Sequence, residues 1–298
     1  MLTGGATEVR LEMTHGGRVF FWLTSSLACA ATIGAAACGG FSSSPPAAPT
    51  DDAADDGATG PADAVVPDAP TVPDGAVPDA GAGATVRVEG LFEIDATEVT
   101  NAAYAKFLSS AAAFDAGASD PNCAWKRSHA PLAGCSRNTN DDAPVSCVDW
   151  CDAHAYCAWA GKRLCGALTS NKISPNDSPD PGLSRWRRAC ASGVGKTYPY
   201  GNTLEPGRCN ERSADAGAPR AVGSFAGCEG TPAGLFDMLG NVSEWEDACE
   251  LAGAAPDNVC SARGGSFDTL AVDARCAFYQ RRVRSTAEPG IGFRCCSL

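Results

Sequence analysis

Residues 85–298 predict an α+β domain with much irregular structure, on three observations. Short strand-like pieces stand near both ends of the stretch, at Thr85-Val-Arg-Val88, Phe92-Glu-Ile94 and Ile291-Gly-Phe-Arg-Cys295. Two segments between them carry helix start signals and helical spacing. Turn-forming residues punctuate the remainder, and 14 of the 16 cysteines fall within it.

The first helix is predicted to begin at Thr100, whose side chain can accept from a first-turn amide, and to run through Ala102, Ala103, Ala105, Lys106 and Leu108 toward Ala113. The second is predicted from about Asp149, as N-cap, to Ala160, with Gly161 ending it. Its Ala153, Tyr156, Cys157 and Ala160 share one face.

Ahead of this domain lies an export signal, residues 1–38. An uncharged run from Val19 to Ala37 follows Arg18 and ends in small residues before Cys38-Gly-Gly. It is broken by Thr and Ser, which suits a removable signal better than a spanning helix of about 20 apolar residues. Ala36-Ala37-Cys38-Gly39 resembles the lipobox of bacterial lipoproteins, with Ala35 where that motif prefers Leu. Cys38 is therefore the expected lipid-attachment site, and two acyl chains there would anchor the protein stably to a membrane. The expected location is the cell envelope, periplasmic or surface-facing.

Residues 39–84 read as a tether of Ala, Pro, Asp, Gly and Ser, too poor in apolar side chains to fold. Val-Pro-Asp-Ala/Gly recurs at Val66, Val72 and Val77, giving an extended, self-repelling spacer. Most of the net charge of -12 sits here, and no Lys or Arg lies between Arg18 and Arg87. No basic patch invites nucleic acid.

An even number of cysteines in an exported chain argues for disulfides. Cys-x-x-Cys is absent, and the domain's only histidines are His129 and His154. Short loops favour Cys123 with Cys135, Cys209 with Cys228 and Cys249 with Cys260, each closure contributing roughly 3 kcal/mol. Cys165 and Cys190 bracket an insertion and are placed to close it, and Cys276 is expected to bridge to Cys295 or Cys296. Cys151 and Cys157 lie six residues apart on one helix, about 9 Å, too far to pair. Gly-x-Ser-x-Gly is absent, so a nucleophile elbow is not indicated, and no phosphate-binding glycine loop is seen.

Asp237, Gly240, Val242 and Glu244 fall at spacings of three, two and two, which gathers two carboxylates and two carbonyls at one turn. Hard oxygens of this kind suit calcium.

Six motifs in order resemble the formylglycine-generating enzyme, or sulfatase-modifying factor, family. They are Phe92 to Leu108, Pro144-Val145 with Trp150 to Leu164, Tyr198-Pro-Tyr-Gly-Asn202, Gly234 to Trp245, Arg263-Gly-Gly-Ser266 and Gly292-Phe-Arg294. The resemblance implies a disulfide-rich, C-type-lectin-like α+β fold, low in regular structure. It implies calcium at Asp237, Gly240, Val242 and Glu244, and a second calcium at Asn210, Glu211 and Asp215. In the catalytic members two cysteines hold copper(I) and use oxygen to turn a protein cysteine into formylglycine.

Those two cysteines fall three and eight residues beyond the matching Ser266, where this chain carries Thr269 and Ala274. Neither binds copper(I) well. Asp268 and Arg275-Cys-Ala-Phe278 resemble instead the non-oxidase branch, where this segment is a structural strand, and Ser243 stands in place of an active-site Trp. The expected function is therefore a tethered binding or scaffold module for a peptide, protein or glycan, with structural calcium and without copper. The alternative is an oxidase with a rearranged thiol pair, Cys276 with Cys295 or Cys296.

Overall fold

Strand β1 (Thr85–Val88) turns back into β2 (Phe92–Asp95) through Glu89 and Gly90, both at positive φ (48° and 73°), as a tight hairpin demands. The computed structural model describes residues 83–110, 120–169, 172–193, 195–250 and 256–297. The chain divides into residues 1–68 and 69–298, and every described residue lies in the second unit. The expected export signal, 1–38 with Cys38, and all of the expected tether, 39–84, except residues 83 and 84 lie outside the described residues.

Helix α1 (Asn101–Ser109) starts where expected, with the Thr100 hydroxyl accepting from Ala103 N at 3.2 Å. It ends at a Ser110 cap, short of Ala113. Helix α2 (Trp150–Trp159) opens on a capping box in which Asp149 and Asp152 exchange side chain and backbone bonds. Ala153, Tyr156 and Cys157 are buried on its inner face. A third helix, α3 (Arg185–Ala191), lies in the insertion; sequence reading did not anticipate it, although Ser184 caps it through Arg187 N.

Two four-stranded sheets complete the fold. The first has the order β1-β2-β8-β3, with β3 Arg163–Leu164 and β8 Cys295–Ser297. The second has the order β6-β5-β4-β7, where β4 is Ser243–Cys249, β5 Val259–Arg263, β6 Tyr279–Val283 and β7 Ile291–Phe293. Strands β4, β5 and β6 run antiparallel, and β7 joins β4 in parallel. The predicted closing strand is thus two strands in different sheets, with the buried Arg294 between them. The segment expected as a strand, Arg275–Phe278, is a turn, and β6 begins only at Tyr279.

One apolar cluster gathers Tyr104, Phe107, Trp150, Tyr156, Trp245 and Phe293, a second Phe92, Ile94, Trp186, Leu235, Met238 and Leu239, and a small third Ala167, Ile173 and Ala248. Among the described residues seven disulfides reinforce the fold. Cys209–Cys228 and Cys249–Cys260 pair as expected, and Cys151 and Cys157 take separate partners. The remaining pairings are corrected. Cys123 bonds Cys151 at the start of α2, and Cys135 bonds Cys147, because Leu132 N donates to Cys147 O and folds the 132–135 turn onto it. Cys165 bonds Cys296 rather than Cys190, because β3 lies against β8. Cys190 then reaches Cys276, and Cys157 reaches Cys295. Short-loop reasoning weighs chain closure and misses bonds that strand pairing brings together across 131 and 138 residues.

So many bridges are those of a chain that matures in an oxidising compartment. No helix among the described residues is long and apolar enough to cross a membrane.

Candidate functional site

Beyond β5 the chain turns on Gly264 and Gly265, at φ 82° and 80°. Side chains cannot be accommodated there: a Cβ on Gly264 would come 2.7 Å from Met238 O, and one on Gly265 2.9 Å from the Thr269 side chain. The pair delivers Ser266 to Ala274 as a tight loop. Ser266 N donates to Thr269 Oγ1 and Thr269 N to Ser266 O, both at 2.9 Å. The loop is held from outside by Arg212, whose N donates to Thr269 O at 2.9 Å and whose Nη2 lies 2.9 Å from Asp268.

This loop forms one wall of an open cleft of about 560 Å³. Glu288, Pro289 and Gly290 form another wall, and Phe278, Gln280 and Arg282 a third. Gly290 O accepts from Ser243 N at 2.8 Å, so β4 sets the floor. Arg212 with Asp268 and Arg282 with Glu288 bring two charge pairs to the lining, which also holds Phe267 and Phe278.

Thr269 and Ala274 are 8% and 3% exposed, with the Thr269 hydroxyl engaged in its own turn. Neither carries sulfur. Every cysteine among the described residues is in a disulfide, including Cys276, Cys295 and Cys296. These residues therefore do not fit copper(I), which needs accessible thiolates.

Behind the cleft lies a buried charge centre. Glu244, from β4, is gripped by Arg294, with Nε to Oε2 at 2.7 Å and Nη2 to Oε1 at 2.8 Å, and Trp186 Nε1 donates to Oε2 at 2.7 Å. Arg294 also donates to Asp95 O and Phe236 O. Asp237, at φ 56°, accepts from Gly223 N at 2.5 Å. Burial pushes its carboxyl up to about 6, against the pull of the Gly223 amide and of Arg294.

Glu98, which sequence reading missed, completes the centre. It is 2% exposed, its carboxyl oxygens accept from no N–H or hydroxyl, and the carboxyl of Asp237 lies within hydrogen-bonding reach of its own. Burial, followed by the charges of Asp237 and Glu244, holds its carboxyl well above the usual range, with Arg294 pulling the other way. The available signal was an acid two residues before the Thr100 cap, in an approach that also carries Glu93 and Asp95.

Of the four residues of the first calcium turn, Asp237 and Glu244 both face this centre and Gly240 takes the positive φ of 74° that the turn requires. Val242 is buried immediately before β4. At the second, Asn210 is fully buried with an unpartnered Oδ1, while its amide donates to Asn241 Oδ1 and Ala218 O. The Glu211 carbonyl, the atom expected to serve that site, accepts from Ala214 N at 2.8 Å, its carboxylate caps its own turn through Ser213 N and Gly207 N, and Asp215 is exposed. Among the described residues, no three His, Cys, Asp or Glu side chains converge as a ready metal cluster.

The fold and cleft define a domain of the sulfatase-modifying factor kind. The sulfatase-modifying factor enzyme 1-like family model matches residues 55–297, and the chain belongs to that family. It is 30% identical over 191 residues to inactive C-alpha-formylglycine-generating enzyme 2 of Bos taurus, covering 58% of this chain and 56% of that protein. It is 27% identical over 268 residues to formylglycine-generating enzyme of Streptomyces coelicolor, covering 71% of this chain and 79% of that one. The chain thus spans little more than half the length of the bovine relative. Among solved structures, PvdO from Pseudomonas aeruginosa has a TM-score of 0.44 and 19% identity, over 69% of this chain and 80% of that chain.

Proposed function

We propose that this chain is an exported binding module, anchored through Cys38, whose cleft around Thr269 receives a ligand without oxidising it. The observation that carries the reading is the cleft itself: an open cavity of about 560 Å³ lined at one copper-holding position by a hydroxyl engaged in a turn, while the other, Ala274, is a buried methyl group outside the lining. Similarity to a bovine relative named as inactive supports it. The paired charges and two phenylalanines suit a ligand with both polar and apolar parts, such as a peptide or a glycan.

The chain's own residues bind and orient. Arg212 N holds the Thr269 loop through Thr269 O, Arg282 and Glu288 bring a charge pair to the lining, and the close packing of Gly264 and Gly265 sets the direction of the loop. Glu98, Asp237 and Glu244 are three buried acids beside one cation, Arg294, but both Glu244 oxygens are already bonded by Arg294 and Trp186, so the three do not stand as a ready calcium cluster. A structural calcium at Asp237, the Gly240 and Val242 carbonyls and Glu244, which the family resemblance implies, would have to draw Glu244 away from Arg294, and Glu98 is the further carboxyl within its reach.

The test is a thiol count and a copper(I) titration on the native protein, with a cysteine peptide as substrate. Near-zero thiol, no retained copper and no aldehyde are expected. Two titratable thiols with stoichiometric copper(I) and aldehyde formation would overturn the reading in favour of an oxidase.

A further inference from the structure

Strand β6 is the outer strand of its sheet, and it borders the cleft through Gln280 and Arg282. Its pairing with β5 is regular over five residues, and the flanking bonds fix which backbone groups face inward. Arg284 N donates to Asn258 O at 2.8 Å at one end, and Gly264 N to Phe278 O at 3.4 Å at the other. Antiparallel alternation then turns the amides and carbonyls of Gln280 and Arg282 toward β5, and those of Tyr279, Arg281 and Val283 away from it. Two of the outward carbonyls have local partners, Val283 O taking Thr286 N and Arg281 O taking Arg282 Nη1. The three outward amides make no bond to another described segment. Arg281 and Val283 are exposed. An unpaired edge of this kind is a template for another strand.

The occupant is selected by charge. Residues 275–284 present three arginines at the surface, Arg275, Arg281 and Arg282, and contain no acid, whereas Arg284 is buried over the Trp150 ring. Arg281 meets Glu250 at 2.6 Å and Arg282 meets Glu288 at 3.5 Å, but these are surface pairs, which contribute little and exchange easily. A second copy of this chain is disfavoured: antiparallel pairing centred on Arg281 would set Arg281 against its own duplicate.

We propose that the outer edge of β6 receives an extended acidic polypeptide of a partner as a fifth strand, its alternate side chains entering the cleft beside Gln280 and Arg282. This rests on the cleft being a binding site. Main-chain bonds to Tyr279, Arg281 and Val283 would supply affinity, and the cleft would select every second side chain.

The probe is a fluorescein-labelled decapeptide of alternating glutamate and valine, titrated by anisotropy against the full chain with its disulfides formed. Saturable binding is expected. It should weaken at least tenfold in Arg281→Pro, which removes an outward amide without touching the β5 ladder, and less than threefold in Arg281→Lys. If Arg281→Pro does not fold, the wild-type chain with a peptide N-methylated at alternate amides makes the same test, and the same tenfold loss is expected. Equal binding of the methylated peptide, equal binding of a lysine-valine counterpart, or no saturable binding would overturn the proposal. Binding that survives methylation but falls in Phe278→Ala removes strand addition and leaves the cleft reading standing.

Discussion

Glu244 and Arg294 meet in a two-pronged ion pair at 2.7 and 2.8 Å with both side chains buried, and this pair joins the two sheets. Glu244 belongs to β4 of one sheet, whereas Arg294 lies between β7 and β8 and bonds Asp95 O at the end of β2 in the other. Replacing Arg294 by Met leaves three buried carboxylates without their cation. Breaking a buried pair in this way costs about 3–5 kcal/mol, and the measurement is a urea midpoint at constant m-value. A loss below about 1 kcal/mol would show that the centre does not carry the fold.

Calcium should raise the melting temperature and a chelator should lower it. At a hundredfold excess over Kd the gain is about 2.7 kcal/mol, which corresponds to roughly 5–10 °C for a domain of this size. Glu98→Gln should abolish most of that response. It should also make the calcium-free protein more stable, because it removes a carboxyl whose ionisation burial and the neighbouring acids oppose. A calcium response unchanged in Glu98→Gln would exclude this carboxylate from the site.

Asp149 and Asp152 share one cation, Lys126, at the start of α2. Burial and the neighbouring Asp152 charge push the Asp149 carboxyl up to about 6 from its ordinary 3.8, against the pull of Lys126. The folded state therefore binds a proton that the unfolded state has released, so this group's contribution falls as pH rises from about 4 to about 6 and is level above that. Asp149→Asn keeps a competent cap and should flatten the slope in that window, read from denaturation midpoints at four pH values. A slope unchanged by the substitution assigns it to other groups.

Removal of the two classes of disulfide should differ in cost. Cys157–Cys295 closes 138 residues and Cys135–Cys147 closes 12. On chain entropy the first contributes about 5 kcal/mol and the second roughly 3. Serine pairs at each position, compared by denaturation, should preserve that order.

Thr269→Cys with Ala274→Cys should restore two titratable thiols at one edge of the cleft and, under reducing conditions, uptake of one copper(I) per chain. Failure to bind copper with both thiols present would mean that the loop geometry, as well as the sulfur, has been lost.

The helices at Thr100 and Asp149 were legible because a capping side chain is a local signal, and the family motifs declared the order of the elements. The Cys209–Cys228 and Cys249–Cys260 pairs were legible for the same reason, since each closes a short loop. What escaped was set by tertiary contact. The split of the closing strand, the partners of Cys165 and Cys190, and the turn at Arg275–Phe278 all depend on which sheet receives which segment. The cleft could be placed from Ser266, Thr269 and Ala274, but Glu98 could not be assigned to the charge centre, because nothing in its spacing ties it to Asp237 more than 130 residues away.

Strand β8 sits between β2 and β3, so residues near position 95 wait for residues near position 296 before their sheet can close. A chain threaded across a membrane from its amino end would emerge with half of that sheet unsatisfied. Its cysteines at positions 157 and 165 would stay open to wrong partners until residues 295 and 296 had followed. Oxidative maturation of the domain therefore waits for the segment that carries β7 and β8, and removing that segment should yield a scrambled, protease-sensitive product rather than a slightly shortened one.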